Sequence, residues 1–147
     1  MARAGFEVIG DKDDGQLQKL PTSAITAAIG DLLERLAGST TWAAITSTSN
    51  YFSPKAIVEE TATSSDSVLC YRLTGDEKVR AETANNTVVA HYGDRMLATD
   101  TNTVNNTGTD NTSQNVIFLQ EGVAGALADK RAVGRVLVGN GVDPDAA

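Results

Sequence analysis

One cysteine, one histidine, three prolines and an aromatic fraction of 5% set the first limits on this 147-residue chain. A lone Cys70 excludes an intrachain disulfide framework and a cysteine-rich zinc site, and leaves that residue as a small hydrophobe inside a strand. With His91 as the sole histidine, no His–His metal site can form. No nucleophile elbow accompanies His91 to suggest a triad. Few aromatics mean the core must rely on Val, Ile, Leu and Ala, and Trp42 reads as a core residue rather than a stacking platform. Cations are also scarce: 12 against 19 acidic residues, a formal charge of −7. Nucleic-acid binding needs Lys and Arg to neutralise phosphates, and here they are scattered, which argues against DNA or RNA as a partner. No apolar run is long enough to span a membrane, and residues 1–20 lack the apolar region of a signal peptide. The expectation is a soluble chain made in a cytoplasm, without a membrane partner.

What the chain has in quantity is threonine, seventeen in all, a residue suited to half-exposed strand positions. The most distinctive stretch is residues 98–115, eighteen positions of Thr, Asn, Asp, Ser and Gly interrupted chiefly by Val104. It leads into Val116-Ile117-Phe118-Leu119, a concentrated apolar run. A long polar loop feeding a buried strand points to an all-β domain working by surface contact.

The length fits one domain. Residues 1–20 read as an extended N-terminal arm, broken by the charged turn at residues 11–15 and ended by Pro21. Residues 21–139 read as a mainly β, single-domain β-barrel or β-sandwich, and residues 140–147 as a short tail after the Asn140-Gly141 turn. Residues 23–36 carry apolar side chains at helical spacing, with Ser23 as a candidate N-cap. The same residues also read as two strands, 24–29 and 32–36, around Gly30-Asp31. The echo of that Gly-Asp pair at Gly93-Asp94 favours strands. Further short strands are expected at residues 41–46, 56–61, 67–73, 78–83, 116–120 and 132–138, about eight in all, with Thr74-Gly75-Asp76-Glu77 as a hairpin turn. Gly134 marks a bulge or a close backbone approach.

Chemistry-bearing patterns are sparse. The acidic pairs Asp13-Asp14, Glu59-Glu60 and Asp76-Glu77 put neighbouring carboxylates on opposite faces if extended, which suits solvated turns better than a shared proton. Asp100-x-Asn102 resembles the opening of a calcium loop, but Asn105 and Asn111 stand where its Gly and Glu belong. Gly122-x-x-Gly125 lacks the Lys-Ser/Thr of a phosphate loop. Nothing in the sequence requires a cofactor or a metal, and it carries no enzyme signature.

Taken together, Gly30-Asp31-Leu32-Leu33-Glu34, Ala37-Gly38-Ser39-Thr40-Thr41-Trp42, the Thr/Asn stretch, Val116-Ile117-Phe118-Leu119-Gln120-Glu121-Gly122 and Gly134-Arg135-Val136-Leu137-Val138-Gly139 resemble the small head decoration, or cement, proteins of tailed bacteriophages. The likeness spans residues 21–145 in general character. It implies a small β-barrel that binds the outer surface of an icosahedral head in the virion, commonly as a homotrimer. It would clamp adjacent major capsid protein subunits together.

On that reading the capsid contacts are Phe6, Val8 and Ile9 in the arm, and Asn102, Asn105 and Asn106 in the polar loop. Removing residues 1–20 is then expected to leave a folded oligomer with weakened capsid binding. The rival readings are a tail, neck or minor capsid subunit, a carbohydrate- or receptor-binding fibre module, and a trimeric β-barrel nucleotide hydrolase.

Overall fold

The computed structural model describes residues 4–10, 12–109 and 114–142, and for residues 107–109 the backbone alone. The chain is a small, mainly β single domain whose described residues form eleven strands in two sheets: β1 (Glu7–Val8), β2 (Leu17–Ala27), β3 (Leu32–Glu34), β4 (Ala43–Ala44), β5 (Lys55–Val58), β6 (Ala62–Arg72), β7 (Val79–Thr83), β8 (Arg95–Ala98), β9 (Thr103–Thr109), β10 (Phe118–Val123) and β11 (Arg131–Val136). Its helical content among the described residues is three single 3-10 turns, at Asp14–Gln16, Val89–His91 and Leu127–Asp129.

The first sheet has the order β1-β7-β11-β10-β8-β9, and a parallel pairing of β7 with β9 closes it into a five-strand barrel. β7 alternates Val79, Ala81 and Thr83 inward with Arg80 and Glu82 on the wetter side, the period-2 pattern of a strand with one core face. The second sheet, β2-β6-β5-β3-β4, curls into a half-barrel. A parallel bridge between Thr22 and Trp42, with the Trp42 amide donating to the Pro21 carbonyl at 2.8 Å, draws its outer strands together.

β3 and β5 are buried along their whole length because their two faces serve two cores. Leu32 and Ile57 join Phe6, Val79, Met96, Ile117, Phe118 and Val136 in the core of the closed barrel. Leu33, Ala56 and Val58 turn the other way and join Leu20, Trp42, Val68 and Cys70 inside the half-barrel. Trp42 is therefore a core residue, with the Arg72 guanidinium 5.7 Å from its ring centroid.

The strand reading of residues 23–36 holds, with the turn at Gly30-Asp31. Gly30 has φ +98°, and a Cβ there would stand 2.1 Å from the Ala4 carbonyl oxygen. Gly134 makes the expected close approach, since a Cβ would lie 1.9 Å from the Leu119 carbonyl oxygen. Opposite it, β10 carries Glu121 as an extra residue between the pairs Gln120–Gly134 and Gly122–Val133.

Four expectations are corrected. Residues 4–10 are extended, but they do not form an arm separate from the domain: β1 pairs with β7, and the Phe6 amide donates to the Gly30 carbonyl at 2.8 Å. Phe6 and Val8 lie in the barrel core because a short strand with alternating apolar side chains completes the β7 edge that β9 leaves open. Pro21 ends nothing; β2 begins at Leu17 and runs through it, since the missing N–H of Pro21 falls where its carbonyl alone is needed. Residues 74–77 make no hairpin but carry the chain from β6 in one sheet to β7 in the other. The Glu77 carboxylate holds that turn by accepting from the Thr74 and Gly75 amides. Finally, the polar stretch is not all loop, because β9 runs through it with Val104 fully buried. Residues 110–113 of that stretch and 143–147 of the tail lie outside the described residues.

The placement of Phe6 reverses the expected result of truncation. Phe6→Ala should destabilise the fold by about 3–5 kcal/mol, read as a lowered urea midpoint at unchanged slope, and removal of residues 1–20 should leave an unfolded chain rather than a folded oligomer.

Candidate interaction surface

Of the six residues singled out as capsid contacts, three face inward. Phe6 and Val8 are core residues, and Asn106 is 1% exposed. The Asn106 amide nitrogen donates to the carbonyls of Asn85 and Asn86, while its oxygen accepts from the Asn85 amide at 3.0 Å. Those three bonds seal one end of the barrel, so the side chain is committed within the chain. Ile9, Asn102 and Asn105 are half-buried. Asn102 is held in a local turn by Asp100 and accepts from the Thr103 hydroxyl at 2.8 Å. The structure does not gather the six into one surface.

The densest chemistry in the molecule lies between the two sheets, where sequence reading found none. Glu34 and Lys55 are register partners on β3 and β5. Both face the closed barrel and both are buried. Lys55 Nζ donates to three backbone carbonyls, at 2.7 Å to Asn50, 3.1 Å to Ser53 and 2.7 Å to Leu137. The Glu34 carboxylate accepts from the Ser49 hydroxyl and, at 3.0 Å, from the Ser53 hydroxyl. Burial drives the Lys55 ammonium down to about 7 from 10.5, with the Glu34 charge opposing that fall.

A lysine close to a serine suggests nucleophilic chemistry, but Nζ reaches the Ser53 carbonyl rather than its hydroxyl, and Lys55 is fully buried. The cluster ties the loop at residues 46–54 and the end of β11 to the half-barrel. One signal for it stood in the sequence: a Lys directly before Ala-Ile-Val, and a Glu directly after Leu-Leu, place charges at the ends of buried strands.

Elsewhere the titratable groups are dispersed. Among the described residues no three His, Cys, Asp or Glu side chains gather as a metal-holding group. Asp31 is pushed upward by burial and, less strongly, by the nearby Asp100 carboxylate, while the Ala28 amide pulls it back. Cys70 is buried and pushed up to about 12, far from thiolate reactivity. His91 sits in a 3-10 turn at the barrel's end, half-buried.

Two surface regions stand out. The outer face of β10 and β11, with the connection leading into β7, bears a shallow groove of about 660 Å³ lined by Asp76, Lys78, Glu121, Gly122, Val123, Val133 and Arg135. The bulge at Glu121 brings its carboxylate to Arg135 at 3.1 Å, and Arg80 pairs with Glu7 on the neighbouring strands. Val123 and Val133 thus lie among paired charges. The second region, at the end of the barrel, is more apolar, with Asp94, Asp129 and Lys130 at its edge. Residues 84–93 and 122–128 contain no Asp, Glu, Lys or Arg, yet Val88, Val89, Tyr92 and Leu127 are exposed there. Gaps in charge this long were visible in the sequence. That the two would meet was not.

No protein-family model, curated protein or solved structure matches the chain.

Two measurements check the electrostatics. Lys55→Met removes three bonds and leaves Glu34 buried without its countercharge, so a loss of about 3–5 kcal/mol is expected in denaturant unfolding. Below pH 7 Lys55 is charged in both folded and unfolded chains; between about 7 and 10.5 the unfolded chain holds the extra proton. The Lys55 contribution to stability therefore rises with pH across that window, and the variant should lose the rise. For Asp31 the sign is opposite. Its raised value in the folded state makes its contribution fall as pH climbs above 3.8. Asp31→Asn, which keeps an acceptor for the Ala28 amide, should raise the melting temperature at pH 7 and lose that advantage in acid.

Proposed function

We propose that this chain is a structural subunit that works by contact: a decoration protein that binds the outside of a tailed-phage head and stabilises contacts between major capsid subunits. The observation that supports it best is the groove face of β10 and β11, where an apolar floor is framed by Arg135, Glu121, Lys78 and Asp76. Alternating charges around an apolar centre suit a protein partner, because they fix register and reject mismatched surfaces. The inward-facing polar groups described above, by contrast, are spent on internal bonds. A net charge of −7 favours a place outside the shell, away from packaged DNA. On this reading the contact surface is a barrel face, and not the N-terminal segment first assigned to it. Many copies, each binding modestly, would gain strength from repetition over the lattice.

The test is co-sedimentation with tailed-phage heads built from the major capsid protein encoded nearest to this chain. Wild type should pellet with heads to a fixed ratio of subunits, and Arg135→Glu with Lys78→Glu should weaken binding roughly tenfold or more. Wild type remaining in the supernatant at saturating concentration defeats the proposal. A fixed but very low ratio to the capsid protein would instead identify a neck, tail or minor capsid subunit.

A further inference from the structure

The connection after β3 and the last described residues, 140–142, border a small cavity of about 240 Å³ that shares no residue with the groove. Leu36, Pro54 and Val142 supply its apolar lining. Both walls hang on the loop that Lys55 fixes. The Arg35 amide donates to the Pro54 carbonyl at 3.2 Å, and the Gly141 amide to the Phe52 carbonyl at 2.8 Å. The Ser39 amide closes a turn on the Leu36 carbonyl at 3.0 Å, with Gly38 at φ +79°, as a type II turn requires. Leu36 is 51% exposed and Val142 64%. Two large aliphatic side chains thus line one cavity without serving either core.

Charge identifies the occupant. Arg35 is the single charged residue of the lining. Its guanidinium is exposed and pairs with nothing among the described residues. The preceding Glu34 offers it no partner, because that carboxylate is buried and accepts from the Ser49 and Ser53 hydroxyls. Asn140 Oδ1 is occupied by the Val142 amide at 3.0 Å, which leaves the carboxamide nitrogen, a donor. The side-chain groups left over are therefore donors, one of them a cation, beside aliphatic walls. A guanidinium is matched best by a carboxylate, which takes two parallel hydrogen bonds from it. The groove, by contrast, mixes Asp76 and Glu121 with its bases. Small-molecule sites run to about 300–1,000 Å³ and surround most of their ligand. A smaller cavity with exposed walls suits two residues of a chain that continues past it.

We infer that this cavity docks an extended acidic segment of a partner protein, with an aliphatic side chain between Leu36 and Val142 and the adjacent carboxylate on Arg35. The inference does not rest on head binding, because it concerns another surface and a peptide can test it.

The probe is the peptide acetyl-Ser-Leu-Glu-Ser-amide, titrated into the full chain and read by amide chemical shifts. Saturable shifts are expected at residues 35–39 and 140–142. Replacing the peptide's Glu by Gln, or its Leu by Gly, should weaken binding roughly tenfold. Arg35→Gln should weaken it by a similar factor and keep the wild-type melting temperature, since the side chain is exposed and unpaired. Arg135→Glu, in the groove, should bind the peptide as wild type does. Absence of saturable shifts at those residues overturns the inference, as does equal binding by the Gln peptide or by Arg35→Gln. Isovalerate binding as tightly as the peptide would make this a site for free small carboxylates and overturn the partner segment. Asp143 and Asp145 follow Val142 and lie outside the described residues. Tighter peptide binding by Asp143→Asn with Asp145→Asn would give the cavity to the chain's own tail, which also overturns the inference.

Discussion

The structure depends on strands β3 and β5 being apolar on both faces. Most antiparallel strands in small domains present one wet face, and alternate accordingly. Here Leu32-Leu33 and Ala56-Ile57-Val58 do not alternate, so each strand must be covered twice. The closed barrel covers one side and the curl of the half-barrel covers the other. That double burial makes one domain of two sheets. It also explains why the charges at the ends of these strands, Glu34 and Lys55, finish between the layers and require internal partners. The carbonyls of Asn50, Ser53 and Leu137 meet that need, and the Leu137 bond joins the far end of the chain to the half-barrel.

The same constraint governs the N-terminal segment. A barrel closed by a parallel β7–β9 pairing leaves half of one β7 edge uncovered, because β9 reaches Glu82 and Thr83 but not Val79 and Arg80. Glu7 and Val8 occupy that half, and Phe6 packs edge-on against Phe118 with ring centroids 6.5 Å apart. The closed barrel is thus completed by residues far from it in sequence. Removing them exposes both a strand edge and part of a core.

How much of this was legible in the sequence follows from whether the signal is local. Apolar runs and period-2 alternation are local, and β5, β7, β10 and β11 were placed to within a few residues. The Gly-Asp turns and the need for glycine at position 134 were equally readable, because sterics act over a few atoms. Pairing partners are not local. Thr74-Gly75-Asp76-Glu77 has hairpin composition, yet nothing in four residues specifies that the next strand joins another sheet. β9 failed for a related reason: Asn has weak strand preference, and Val104 is the single apolar position that draws the stretch into the barrel. The alternation in Phe6, Val8 and their polar neighbours was visible, but was read as anchoring to another molecule rather than to this one.

The candidate surfaces divide along the same line. Residues chosen for polar character, such as Asn106, proved to be internal, because a buried barrel end needs amides to satisfy the carbonyls of its own loops. Residues that are exposed were distinguished in the sequence mainly by what surrounds them. The groove face carries one inserted residue, Glu121, next to the point where Gly134 lets β11 approach the Leu119 carbonyl. The end of the barrel owes its form to two connections that meet through Thr87 and Leu127 and keep their charges, Asp94, Asp129 and Lys130, next to the strands that follow. One surface sets its charges around an apolar floor, and the other exposes apolar side chains with its charges at the edge.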